Sequence, residues 1–137
     1  MEKPVITPAE MAEFCAEARD LAWAKALHIW PQLSKFVKPT LKYNKRLKTT
    51  AGRAWYDTNE VELSNALLWE HPRAFYSVII PHEVAHHVAK HIYQDEGHGP
   101  HWKSVMIALG LPPDTYHSLT NSQWEKRKAQ IANAKNR

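Results

Sequence analysis

His82-Glu83-Val84-Ala85-His86 sets two imidazoles and a carboxylate within one turn and a half of a segment that reads as helix. On an α-helix, residues i and i+4 lie about 40° apart on one face, so His82 and His86 can offer two nitrogens to one metal ion. Glu83 projects about 100° away from His82. It cannot add a third ligand from that turn, but it can reach a metal-bound water and take its proton. Nitrogen ligands with one position left open are the arrangement of a hydrolytic zinc centre, so one Zn2+ is the expected cofactor. A third protein ligand must come from elsewhere. After the helix runs Gln94-Asp95-Glu96-Gly97-His98-Gly99-Pro100-His101-Trp102, where the glycines break the helix and let the chain fold back. That leaves His98 or His101 as the third ligand, His101 being otherwise a candidate substrate-side or transition-state contact, as is Tyr56.

The remaining histidines read differently. His87 and His91 do not share the ligand face, and His87 is expected to be a partly exposed polar residue. His28, His71 and His117 show no ligand spacing. Asp95 and Glu96 read either as groups that orient a ligand imidazole or as a solvated acidic turn.

The elements around the motif have to anchor it. Phe75, Val78, Ile79 and Ile80 upstream, with Ala85, Val88, Ala89 and Ile92 downstream, form an apolar stripe. The helix is expected from about Arg73 to Tyr93, bent or tightened just before the ligands because Pro81 lacks a backbone donor. Thr7-Pro8-Ala9-Glu10 reads as a capping box opening a helix that runs to about Trp30, with Phe14, Ala18, Leu21, Ala22 and Ala26 buried and Glu10, Glu13, Glu17 and Asp20 solvated. Strands are expected over Leu41 to Leu47, Arg53 to Asp57 and Glu60 to Leu63, the last two joined as a hairpin through Asp57-Thr58-Asn59. Asn65 to Glu70 forms a short helix or turn, and a helix from Pro100 or His101 to Leu109 ends at Gly110. A final basic helix is expected over about 118–134. This is an α+β plan, one domain over 1–137 with its core over about 7–111.

Composition agrees with a small soluble enzyme. The 137 residues are 44% hydrophobic and 23% charged. No apolar stretch is long enough to span a membrane, and the N-terminus has no basic-then-apolar leader, so a cytoplasmic monomer is the expectation. The net charge is +4, unevenly spread. Between Leu21 and Tyr56 stand eight Lys or Arg and no Asp or Glu. Lys42, Lys45, Arg46, Lys48 and Arg53 in that stretch, with Lys126, Arg127 and Lys128 in the tail, are candidate contacts to a phosphate backbone. Interleaved aromatics such as Trp30, Phe36, Tyr43, Trp55 and Tyr56 could stack on unpaired bases. Lysine-rich strand faces also protect sheet edges, and most aromatics in a small domain are core.

His82-Glu83-x-x-His86 followed by Gly97-His98-Gly99-x-x-Trp102 resembles the SprT-like (Spartan-type) metalloproteases. The stretch from Thr50-Ala51-Gly52-Arg53-Ala54-Trp55-Tyr56 to Leu67-Leu68 is similar to the segment preceding the motif in bacterial members. The resemblance spans about Leu41 to Leu111. It implies a minimal zincin-like domain: a small antiparallel or mixed sheet packed on the motif helix, with flanking helices. It implies His82, His86 and His98 as zinc ligands and Glu83 as general base. It also implies protein substrates, including proteins attached to single-stranded or damaged DNA, and hence a nucleoid-associated location. Two departures stand out. Many bacterial members carry a cysteine-rich zinc ribbon, which the single Cys15 cannot supply. Nor is this a metzincin, since Ala89 and Ile92 replace that family's glycine and third histidine. The rival reading is a nucleic-acid-binding protein with a structural zinc site and no protease activity; an amidase acting on something other than protein would use the same residues.

Overall fold

The computed structural model describes residues 6–113 and has an α+β architecture of helices around a three-stranded mixed sheet. The expected tail helix, with His117, Lys126, Arg127 and Lys128, lies outside the described residues.

Helix α1 (Pro8–Ile29) starts at the expected capping box. Glu10 N–H donates to Thr7 Oγ1 and Thr7 N–H to Glu10 Oε1, both at 3.1 Å, which satisfies two amides that a helix start otherwise leaves open. Its buried face comprises Met11, Cys15, Ala18, Ala22, Trp23 and Ala26. Leu21 departs from expectation: it is 56% exposed, lining a surface groove with Lys25, Tyr76 and Pro81 that no described element covers. After a short 3-10 turn (Pro31–Lys35) the chain enters the sheet.

Strands β1 (Thr40–Asn44), β2 (Gly52–Trp55) and β3 (Glu60–Ser64) assemble in the order β1-β3-β2. β2 and β3 are the expected hairpin; Asn59 takes the left-handed conformation in its turn (φ 55°), which asparagine tolerates well. β1 pairs parallel to β3, Leu41 opposite Val61. β1 ends three residues short of the expected Leu47, whose carbonyl accepts from Ser64 Oγ at 2.6 Å and so pins the β1–β2 loop instead. The pleat sends Val61 and Leu63 into the core and Lys42, Glu62, Arg53 and Trp55 to the opposite face.

Ser64 ends β3 and caps α2 (Asn65–Glu70), its Oγ accepting from Leu67 N–H at 3.2 Å. Then α3 (Pro72–Ala74) leads through a π-helical turn (Phe75–Ile79) into α4 (Ile80–Tyr93), the motif helix. The disturbance expected ahead of Pro81, as a bend or a tightening, takes the form of a widened turn: Ile80 N–H reaches back to the Phe75 carbonyl, five residues away. A π-turn takes up the ladder that Pro81 cannot continue, so the helix stays anchored instead of breaking. Phe75, Ile79, Ile80, Val84 and Val88 are all at most 1% exposed. Each such side chain is worth about 1.5–3 kcal/mol of burial, so the motif sits on one of the most strongly held elements. α5 (Pro100–Ala108) packs on α4 and brings Trp102, Val105 and Met106 into the same core. No helix among the described residues is long and apolar enough to cross a membrane.

Candidate metal centre

α4 presents His82 and His86 on one face, both buried at 2% and 6% exposure. Beyond its end, Gln94 adopts the left-handed conformation (φ 54°), and the chain turns back to lay His98 over them. One nitrogen from each of the three rings lies within 4.8 Å of the others, an arrangement that could hold a metal ion. His86 Nε2 and His98 Nε2 meet at 3.0 Å, and the His82 and His98 ring centroids are 5.5 Å apart.

The electrostatics fit a cation. Burial, with His98 and His87 nearby, drives His86 down to about 3; what burial His98 has, with Lys103 adding to it, also lowers His98. Both rings are therefore neutral and able to offer lone pairs at physiological pH. Glu83 is 4% exposed, with Oε1 3.9 Å from His82 Nε2 and Oε2 buried without a hydrogen-bond partner among the described residues. Burial alone pushes it up to about 8. Beside the neutral rings of His86 and His98, an ionised Glu83 is a buried negative charge that lacks compensation, which a divalent ion would supply.

Trp102 forms the floor. It is fully buried, stacks on His86 at 5.1 Å between centroids, and meets His82 and His98 at 4.7 and 4.6 Å. Its place in the Gly-His-Gly-x-x-Trp run alone does not show this role. The loop carrying His98 is tied from three sides. Asp95 Oδ1 accepts from Gly97 N–H at 3.0 Å, Lys90 Nζ reaches Glu96 Oε1 at 2.8 Å, and Tyr56 Oη donates to the Glu96 carbonyl at 3.0 Å. Asp95 and Glu96 thus brace the loop backbone rather than a ligand ring. Tyr56, singled out as a substrate contact, has its hydroxyl in this brace.

Of the other histidines near the motif, His87 departs from expectation and His101 lies outside the cluster. His87 is 1% exposed rather than partly exposed, because β3 passes over its face of α4: its Nε2 lies 2.9 Å from the Glu60 carbonyl, and its ring meets Tyr56 edge-on. His101 stacks on Tyr93 at 4.6 Å with Nδ1 3.3 Å from Asp95 Oδ2, and it does not join the three-histidine cluster.

The cluster opens into a cleft of about 490 Å³ between α4 and the segment from Thr49 to Tyr56, with Glu96 and His98 on the far lip. β2 is the edge strand along that wall. Gly52 makes the close approach possible: a Cβ there would lie 3.1 Å from Glu83 Cγ and 3.3 Å from the Glu62 carbonyl. Of the basic candidates, Lys42 pairs with Glu60 and Glu62 at 3.6 and 4.0 Å. Lys45, Arg46 and Lys48 lie exposed on the β1–β2 loop and Arg53 on β2, none in an ion pair among the described residues.

Comparison with known proteins places these features in a family. No solved structure matches the chain. It is 39% identical over 85 residues to Protein SprT of Klebsiella pneumoniae (strain ATCC 700721 / MGH 78578), covering 61% of this chain and 51% of that protein. It is 38% identical over 86 residues to Protein SprT of Escherichia coli O1:K1 / APEC, covering 61% and 52%. The chain therefore spans about half the length of the curated relatives it matches. The SprT-like family model matches residues 21–117, a stretch that contains the sheet, the motif helix and all three clustered histidines, and on that match the chain belongs to the SprT-like family.

Proposed function

We propose that this protein is a zinc-dependent endopeptidase that hydrolyses extended protein segments, including those of proteins held on DNA. The observation that carries the reading is the convergence of His82, His86 and His98 beside Glu83, whose Oε2 has no hydrogen-bond partner among the described residues, at the base of a cleft walled by a sheet edge. His82, His86 and His98 would hold the ion. Bound there, zinc would acidify a water and polarise the scissile carbonyl.

The chain's own groups do the rest. The β2 edge lines up an extended substrate by main-chain pairing, so its backbone runs past Glu83. Glu83 takes a proton from the attacking water and hands it to the departing amine. Trp102 and the braced 94–99 loop hold the three imidazoles in place.

The competing reading, a nucleic-acid-binding protein with a closed structural metal site, needs a fourth protein ligand. His101, the candidate, is stacked on Tyr93 away from the cluster. The deciding experiment is metal analysis together with cleavage of an unfolded protein, with and without single-stranded DNA, using Glu83→Gln as control. Stoichiometric zinc with cleavage that Glu83→Gln abolishes supports the peptidase, and stimulation by DNA supports the DNA-held substrates. Zinc and DNA binding without cleavage of free or DNA-bound protein would sink it.

A further inference from the structure

Arg53 and Trp55 stand on the same face of β2, two residues apart, both exposed and both lining the cleft. Arg53 lies opposite Glu62 in register, yet it makes no ion pair among the described residues. Glu62 is already satisfied: Trp55 Nε1 donates to Oε1 at 3.3 Å and Asn44 Nδ2 to Oε2 at 3.1 Å, with Lys42 Nζ 4.0 Å from Oε2. The same contacts hold the Trp55 indole on the sheet while leaving it 42% exposed. A cation without an ion pair and a fixed aromatic surface, side by side on the β2 edge, have no partner strand among the described residues.

The register says which residues such a strand would bring to them. Ser64 N–H donates to the Ala51 carbonyl at 2.8 Å, so 51 and 64 are a hydrogen-bonded pair of the antiparallel ladder. Alternation then directs the main-chain groups of Arg53 and Trp55 toward β3 and leaves those of Gly52 and Ala54 on the open edge. An antiparallel strand added there bonds to Gly52 and Ala54. Its residue between those two faces Arg53 in a non-hydrogen-bonded pair, where side chains approach most closely. Its residue two positions further toward the N-terminus faces Trp55. Gly52 is the point of closest approach to Glu83.

We propose that Arg53 and Trp55 select the side chains of the substrate strand: an Asp or Glu one residue N-terminal to the residue facing Gly52, and an apolar or aromatic residue two positions before that acid. This deepens the peptidase reading, on which it rests for the substrate being a peptide.

Two readouts test it. Cut sites mapped in a random peptide library treated with the zinc-loaded protein should show one acidic position N-terminal to the cut with an apolar position two residues before it, and Arg53→Gln should erase the acidic preference. Binding is read separately with Glu83→Gln and Glu83→Gln/Arg53→Gln proteins. The probes are fluorescein-labelled peptides in which a single Asp is walked along an uncharged sequence, each with an Asn twin. The tightest Asp peptide should bind about two- to fivefold better than its twin, the range of an opposite-charge cross-strand pair, and Arg53→Gln should abolish the difference. An acidic preference that survives Arg53→Gln, or Asp and Asn twins that bind alike, overturns the proposal. Charge-dependent binding without any cleavage would instead retain it and discard the peptidase reading. If Arg53→Gln weakens binding of a single-stranded oligonucleotide while both peptide readouts stay unchanged, the face serves nucleic acid and the proposal is likewise overturned.

Discussion

Gly52 on the edge strand lies directly against Glu83 on the motif helix: a Cβ at 52 would sit 3.1 Å from Glu83 Cγ and 3.4 Å from Ile79 Cγ2. The proposed base is thus held in place by a backbone, on the side from which a substrate strand would arrive. Gly52→Ala forces the buried Glu83 side chain to give way by a few tenths of an ångström, and Gly52→Val forces more. Overpacking of this kind costs about 1–3 kcal/mol. The expected outcome is a modest loss of melting temperature for Ala, a larger one for Val, and a loss of turnover in both that exceeds the loss of zinc affinity. Parallel thermal melts, chelator competition and cleavage rates check it; turnover unchanged in Gly52→Val would show that Glu83 does not depend on this contact.

Trp102 touches all three clustered imidazoles and is fully buried, so Trp102→Ala removes both packing and the surface that sets the ring orientations. Such a truncation costs about 3–5 kcal/mol of stability. Trp102→Phe is expected to be far milder, because Trp102 Nε1 is buried without a hydrogen-bond partner among the described residues and its removal leaves none of them newly unpaired. The two variants should therefore separate by several degrees in melting temperature in the metal-free state, with zinc affinity weakened in Ala and largely kept in Phe.

Tyr56→Phe keeps the ring against His87 but removes the hydroxyl that donates to the Glu96 carbonyl at 3.0 Å. A hydrogen bond of this kind contributes about 1 kcal/mol, or roughly fivefold in an equilibrium. It spans from the sheet to the loop bearing His98, so the loss should fall on zinc affinity, by about fivefold, with the melting temperature of the metal-free protein little changed. Chelator-competition titration of the two proteins checks it. An unchanged zinc affinity would mean that Lys90 and Asp95 brace the loop without Tyr56.

Some of this was legible from the residues and some was not, for physical reasons. His82, Glu83 and His86 could be read because their relation is local, fixed by helix geometry within one turn and a half. The capping box at Thr7 and the β2–β3 hairpin are local as well. The burial of His87 could not be read, since it depends on β3 crossing that face of α4, a contact between residues 27 apart in sequence. The disturbed turn before Pro81 is legible in position but not in kind: removing a donor says that the ladder must change, while the packing of Phe75 and Ile79 decides how. The exposure of Leu21 and the truncation of β1 were likewise set by what neighbouring elements leave uncovered. Gly52 shows its purpose only when strand and helix are brought together.

Stability of the metal-free protein should depend on pH through Glu83, and the sign follows from where its proton sits. The folded pKa of about 8 lies above the ordinary carboxylate value of 4.5, so the folded state binds the proton more tightly than the unfolded chain. Between those values the unfolded state carries fewer protons, and stability falls as pH rises. His86 works in the opposite sense: its folded pKa of about 3 lies below 6.5, so its contribution grows with pH but is complete by about 6.5. From pH 6.5 to 8, then, Glu83 acts without opposition from His86. The melting temperature of the zinc-free protein should drop across this interval, and Glu83→Gln should flatten the drop. Saturating zinc should flatten it too, because a cation beside the carboxylate compensates the charge that burial penalises. Melts of both proteins at pH 6.5 and 8, with and without zinc, decide the point: a slope that persists in Glu83→Gln would assign it to another group and remove Glu83 as the uncompensated buried carboxyl of the site.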